Sequence, residues 1–285
     1  NPDGTARVTF GKVAFQSPEI FNGVFRILIL LYPDACTMAG HTDDPVNTAT
    51  GEVLAKPTAD LKLGGPLPLA FRRYYGSMLG INGVTSALGR NWMHNFDTRL
   101  STSGTRVAIV LWGGKVVRFT QSGSAYQVVG SESYSDQLQL ANGEYRYVSS
   151  FDNLTYAYNT SGQLIRIQDR NGRQLTVTPG ANGPTLVSDG FGRTLTFTYT
   201  GSSLTKVTDQ TGRSISFTQT GGNLTSFVDA AGKTTAYSYT TGGSLAGLLV
   251  ATTKPKGNTG YTQTYDTSGR ATKQTDGLGN AIATL

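Results

Sequence analysis

Apolar side chains recur along this chain with a period of two, in short runs broken by glycine. In the second half the runs themselves recur every 20 residues. Ile167, Val187, Val207 and Phe227 form one column. Leu175, Leu195 and Ile215, then Thr235, form a second, and Val177, Phe197, Phe217 and Tyr237 a third. Polar turns separate the runs. Asp169, Asp189, Asp209 and Asp229 are followed by Gly172, Gly192, Gly212 and Gly232, and each glycine by Arg173, Arg193, Arg213 or Lys233.

Alternation at period two is the strand signal. Asp-x-x-Gly is turn chemistry, because the carboxylate accepts from amides ahead of it and glycine adopts positive φ. Twenty residues hold two strands of about six residues and two turns. Each unit is then a hairpin with one dry face that it cannot cover alone. The pattern predicts an all-β chain of stacked antiparallel β-hairpins.

Second turns fall at Thr160-Ser161-Gly162, Gly201-Ser202-Ser203 and Thr220-Gly221-Gly222-Asn223, with strands reopening at Leu164, Leu204 and Leu224. Pro184 stands in that leucine column and predicts a shortened or irregular strand. After Tyr239 the rhythm breaks, and 240–260, with Lys254-Pro255-Lys256-Gly257, reads as an insertion. The pattern returns with Asp266, Gly269, Arg270, Asp276 and Gly279.

The front of the chain is also β in pattern. Leu67, Leu69 and Phe71 alternate, with Pro66 and Pro68 marking an edge or a strand start. Val107, Ile109 and Leu111 lead through Gly113-Gly114 to Val116, Val117 and Phe119. Leu138 and Leu140 lead through Asn142-Gly143 to Tyr145 and Tyr147, a strong hairpin signal. Residues 1–43 read as an extension, 44–150 as a β module and 151–285 as the repeats. Within the extension, Val24, Phe25, Ile27, Leu28, Ile29, Leu30 and Leu31 form a run of high β propensity. Such a strand is either buried in its own subunit or pairs with another subunit's open edge.

Composition agrees. Glycine numbers 36 and charged residues make up 15%, a profile that disfavours helix. The net charge of +6 is scattered, so no nucleic-acid partner is expected. No apolar run approaches the length of a transmembrane helix. Cys36 is the single cysteine, which excludes an internal disulfide and a four-cysteine zinc site. The chain opens on Asn1, which reads as a processed product or a fragment.

Candidate chemistry is thin. Cys36 and His41 have no third orienting group, and His94 sits in the Trp92–Phe96 block, where packing or a backbone hydrogen bond is its expected role. Ala231-Gly232-Lys233-Thr234 lacks the earlier glycine of a phosphate loop. One aspartate per hairpin does not converge into a calcium site. No catalytic residue, cofactor or metal is expected. The aromatics (14 Tyr, 12 Phe, 2 Trp) leave glycans as a possible partner.

Tyr265-Asp266-x-x-Gly269-Arg270, followed by Asp276-x-x-Gly279-Asn280, resembles the YD repeat of RHS proteins. Tyr158-Asn159-Thr160-Ser161-Gly162 is a variant with Asn159 in the second place. Asp44-Pro45-Val46-Asn47-Thr48-Ala49-Thr50-Gly51, then Gly65 to Tyr75, then Leu88 to Asp97, are similar to the module that opens the RHS core. The resemblance implies a β-sheet shell whose hairpins spiral round a cavity, often around a C-terminal toxin domain. The family's self-cleaving aspartate motif and spike-tip domain are not found in this sequence. Five or six hairpins cannot enclose a folded enzyme, and an incomplete stack leaves terminal hairpins whose apolar faces and unpaired edges either missing residues or a neighbouring copy must cover. The expectation is a non-enzymatic bacterial protein, secreted or at the cell surface, self-assembling into a fibre. The alternatives are a wall segment of a toxin-encapsulating shell and a carbohydrate-binding surface module.

Overall fold

The computed structural model describes residues 46–47, 50–55, 59–130, 135–243 and 245–284. The apolar run from Val24 to Leu31, Cys36 and His41 lie outside the described residues. Among the described residues every element is a strand.

Strands β1 (Leu54–Ala55), β2 (Ala59–Gly64), β3 (Leu69–Gly76) and β4 (Trp92–His94) form a small antiparallel sheet centred on β3. Strand β3 begins directly after Pro66 and Pro68, and it is central rather than an edge. Strands β5 (Arg99–Ser103), β6 (Arg106–Val110), β7 (Val116–Ser122) and β8 (Ala125–Val129) form a four-stranded meander.

The remaining strands form one 15-stranded antiparallel sheet in sequence order. They are β9 (Gln137–Ala141), β10 (Glu144–Val148), β11 (Thr155–Asn159), β12 (Leu164–Gln168), β13 (Gln174–Pro179), β14 (Pro184–Ser188), β15 (Thr194–Thr200) and β16 (Ser203–Asp209). They continue as β17 (Ser214–Thr220), β18 (Asn223–Val228), β19 (Thr234–Tyr239), β20 (Leu249–Thr253), β21 (Thr259–Tyr265), β22 (Ala271–Asp276) and β23 (Ala281–Thr284). Strand β14, which starts at Pro184, has five residues where β16 has seven.

The Asp-x-x-Gly turns share one construction. At Asp209 the backbone closes with Asp209 N–H donating to Arg213 C=O (2.9 Å) and Gly212 N–H to Asp209 C=O (3.0 Å). Oδ1 of Asp209 accepts from the amides of Thr211 and Arg213 at 2.9 and 3.0 Å. Asp169, Asp189, Asp229 and Asp276 accept from the same two positions of their own turns. Gly212 has φ +87°, with Gly172, Gly192, Gly232 and Gly279 alike, so a side chain there is strained even though space is open. All these turns lie at one end of the strands.

At the other end each hairpin carries a register shift, between Thr178/Pro179, Thr198/Tyr199, Thr218/Gln219, Ser238/Tyr239 and Thr264/Tyr265. A bulge repeated once per unit adds twist and bend each time. Beside it, a side chain reaches back to the preceding hairpin. Tyr199 Oη donates to Pro184 C=O at 3.0 Å and Tyr265 Oη to Leu249 C=O at 2.5 Å. Tyr239 donates to Leu224 C=O, and Gln219 takes the same role toward Leu204 C=O. This ties each unit to the one before and gives the recurring tyrosine a physical reason.

The stretch 240–260 corrects one expectation, because it does not interrupt the sheet. It contains β20, paired with β19 on one side and β21 on the other. Lys254 to Asn258 repeats the turn construction, with Lys254 N–H to Asn258 C=O at 2.9 Å and Gly257 N–H to Lys254 C=O at 2.8 Å. The backbone thus makes the turn without an aspartate. The added length sits in the loop 240–248.

Candidate functional site

One face of the long sheet is dry. Leu164, Ile167, Leu175, Val177, Val187, Leu195, Phe197, Leu204, Val207, Ile215, Phe217, Leu224 and Phe227 are all buried there. The opposite face carries exposed Thr176, Thr178, Thr196, Thr198 and Thr218. What covers the dry face is the chain's own N-terminal module, and the two share one continuous core. The chain itself thus covers that face, and among the described residues β9 and β23 are the outer strands of the long sheet.

Strand β3, Leu-Ala-Phe-Arg-Arg-Tyr-Tyr-Gly, shows why. An exposed strand alternates, whereas seven of its eight residues are buried. Phe71 packs on Phe197 and Phe217 at 5.9 and 5.7 Å between ring centroids. Trp92 on β4 packs on Tyr75 and Tyr237 at 5.2 and 5.0 Å. Its indole N–H donates to Tyr239 Oη at 2.9 Å, and Tyr75 Oη accepts the Leu249 amide at 2.8 Å.

Arg73 is the charged centre of the seam. It is 9% exposed and grips Asp60 with Nε–Oδ2 at 2.6 Å and Nη2–Oδ1 at 2.9 Å. Nη1 donates to Tyr237 Oη at 2.9 Å, and the guanidinium lies 3.6 Å from the centroid of the Phe227 ring. Burying this charge is tolerable because it is both paired and hydrogen-bonded.

The module is also bonded to the repeat turns at both ends of the strands. Leu204 N–H donates to Ala87 C=O and Arg90 N–H to Gly222 C=O, each at 2.8 Å. Leu100 N–H donates to Gly162 C=O at 2.9 Å. A side chain on Gly162 would meet Leu100 oxygen at 1.9 Å, so this turn requires glycine for proximity as well as for φ. At the far end of the sheet Ala271 N–H donates to Gly51 C=O at 2.8 Å. On the aspartate-turn side, Arg173 Nη1 reaches Pro66 C=O at 3.5 Å. The long loop 240–248 serves the same seam, since Arg90 Nη1 donates to Ala246 C=O at 2.5 Å.

His94 sits inside this packing, 5.2 Å from Phe71 and 5.6 Å from Phe197 between ring centroids. Its Nδ1 accepts the Phe96 amide at 3.2 Å, which leaves the proton on Nε2, 3.0 Å from Asp97 Oδ1. Ser86 Oγ donates to Asp97 Oδ2 at 2.6 Å. Burial pushes the Asp97 carboxyl up, and His94, Ser86 and the His94 amide more than offset it, holding it below the usual carboxylate range. The carboxylate stands between the serine and the imidazole. A serine activated by histidine needs the imidazole against the hydroxyl, so this order serves to hold the block together.

A crevice of about 540 Å³ lies between residues 77–91 and the turns at 202–203, 219–222 and 245–248. Ser86, Arg90, Asn91, Ser203, Gln219 and Leu245 are on its walls. Among the described residues no three His, Cys, Asp or Glu side chains gather as a metal site requires. No helix of the described residues is long and apolar enough to cross a membrane. The repeat tyrosines turn inward: Tyr156 and Tyr158 are buried, and Tyr199, Tyr239 and Tyr265 spend their hydroxyls on backbone carbonyls.

Glu52 is a residue that sequence reasoning missed. It is 3% exposed, and its Oε1 has no hydrogen-bond partner. Burial pushes its carboxyl up to about 7, against a smaller opposing effect of the Met78 amide. A lone glutamate after Gly51 carries no signal of burial in the sequence.

A family model described as a domain of unknown function (DUF6531) matches residues 43–119. That span includes Glu52, Arg73, Trp92 and His94 and stops short of the repeats. None of the curated proteins matches the chain.

Proposed function

We propose that this chain is a non-enzymatic structural scaffold of the RHS/YD type, bacterial, secreted or held at the cell surface, that self-associates through strand edges. The observation that carries the reading is the seam. The N-terminal module spans the dry face from the turn before β12 to the start of β22 and fixes the sheet through Arg73, Trp92 and backbone bonds. Arg73, Asp60, Tyr237, Trp92 and Tyr239 spend their polar groups on one another, which supports a brace. With the face covered by the chain itself, association falls to the edges. Strand β23 pairs with β22 alone among the described residues, and Ile282 on it is 39% exposed. Unpaired edges recruit further strands.

A wall segment of a larger shell is the second reading. It is favoured by the Asp276–Asn280 turn, which has the same hydrogen bonds as the turns inside the sheet. Analytical ultracentrifugation over a concentration series, with Ile282→Lys beside the parent, tests the proposal. Self-association weakened at least about tenfold by the edge charge is expected. A chain monomeric throughout, or association indifferent to the substitution, sinks it.

A further inference from the structure

Residues 46–47 and 50–53 form a tight clip between the module and the far end of the long sheet. Val46 and Val53 bridge, Asn47 N–H donates to Glu52 C=O at 2.8 Å, and Gly51 N–H donates to Asn47 C=O at 2.7 Å. Inside, Val53 N–H donates to Ser77 Oγ at 3.0 Å and Ser77 N–H returns to Val53 C=O at 2.9 Å. Outside, Gly51 C=O accepts the Ala271 amide at 2.8 Å. The fit is close: a side chain on Gly51 would come 2.6 Å from Arg270 Cβ, which leaves the clip no slack.

Glu52 belongs to this clip, and its carboxyl packs against β3 of the module. Its Oε1 lies 2.9 Å from the place a Gly76 side chain would occupy, next to the Tyr74 ring. The Met78 amide is the hydrogen bond that supports its carboxyl. Among the described residues its ionisable neighbours provide no countercharge. Tyr74 on β3 is a phenol, and Arg270 beneath Gly51 is committed to Asp266 at 2.8 Å. Among the described residues no ion pair involves Glu52.

We propose that Glu52 makes this clip proton-sensitive: with the carboxyl protonated it holds β22 against the module, and with the carboxylate it lets β22 go. The physical cause is that a buried carboxylate with one amide donor is costly, while the neutral acid fits the same space. The sign follows from the raised value. A carboxyl that titrates higher when folded contributes stability that is present at acid pH and is lost as pH rises through about 7. Opening the loop returns the charge to water and breaks the Gly51–Ala271 bond with it. The Leu204–Ala87 bond, at the middle of the seam, keeps its state.

Amide hydrogen exchange of the full chain tests this, read at Ala271 and Ser77 and corrected for the intrinsic rate. Protection is expected to drop at least about tenfold between about pH 5.5 and 8.5, with Leu204 unchanged. In Glu52→Gln, which keeps the shape without the charge, protection is expected to stay level across that range. Protection in the parent that does not change with pH, a drop that persists in Glu52→Gln, or an equal drop at Leu204 overturns the proposal. Carbon-13 NMR of the Glu52 carboxyl in the parent gives a check that needs no variant, and a midpoint below about 5 overturns it as well.

Discussion

Replacing Arg73 with methionine tests whether the charged centre of the seam is a brace. The stem volume is largely kept and the charge is lost. Asp60, with a side chain 5% exposed, then loses contacts of 2.6 and 2.9 Å and remains buried as an unpaired carboxylate. Tyr237 loses a 2.9 Å donor, and the Phe227 ring loses the cation 3.6 Å from its centroid. Breaking a buried pair by removing one partner costs about 3–5 kcal/mol. Replacing both partners with apolar groups of similar volume is often close to neutral. The expected result is therefore a loss of about 3–5 kcal/mol for Arg73→Met and a much smaller loss for Arg73→Met with Asp60→Leu. Urea unfolding followed by tryptophan fluorescence reads it, because Trp92 lies 5.0 Å from the Tyr237 ring across the same seam. A loss below about 1 kcal/mol for the single variant, or a double variant as costly as the two singles summed, refutes the reasoning.

Two further outcomes follow from the same structure. Tyr239→Phe strands the Trp92 indole N–H and the Leu224 carbonyl together, so it is expected to cost about 2–3 kcal/mol, against about 1 kcal/mol for Tyr199→Phe, in thermal or urea melts; equal costs would contradict the brace. In Asp209 burial raises the carboxyl, and the Thr211 hydroxyl, the Arg213 guanidinium and the two amides more than offset it, so the group sits below its ordinary value. Stability from such a group is complete above the unfolded value near 4 and disappears as pH falls through the folded one. Asp209→Asn is expected to cost about 1–3 kcal/mol at neutral pH and to flatten the acid limb of the stability profile; an acid limb of unchanged slope would count against it.

Local rules carried much of this protein in its sequence. Alternation told the dry face from the wet one along each strand, and the Asp-x-x-Gly columns marked bends whose bonds reach only two to four residues ahead. Both depend on neighbours in the chain, so one hairpin of sequence is enough to read them. The strand and turn inside 240–260 are not legible because that turn begins with Lys254 where the others have aspartate, while the backbone hydrogen bonds are the same. The all-buried β3 was not legible either, since alternation there is erased by cover on both faces.

What covers the dry face was decided by tertiary structure alone. Arg73 meets Tyr237 across 164 positions and Trp92 meets Tyr239 across 147. No periodicity links residues so far apart. Glu52 makes the same point: its position in the sequence looks like an ordinary loop carboxylate, and the packing of Gly76 and Tyr74 against it removes the water that would favour its charged form. Desolvation belongs to the assembled fold rather than to any segment, and so does the electrostatics that follows from it.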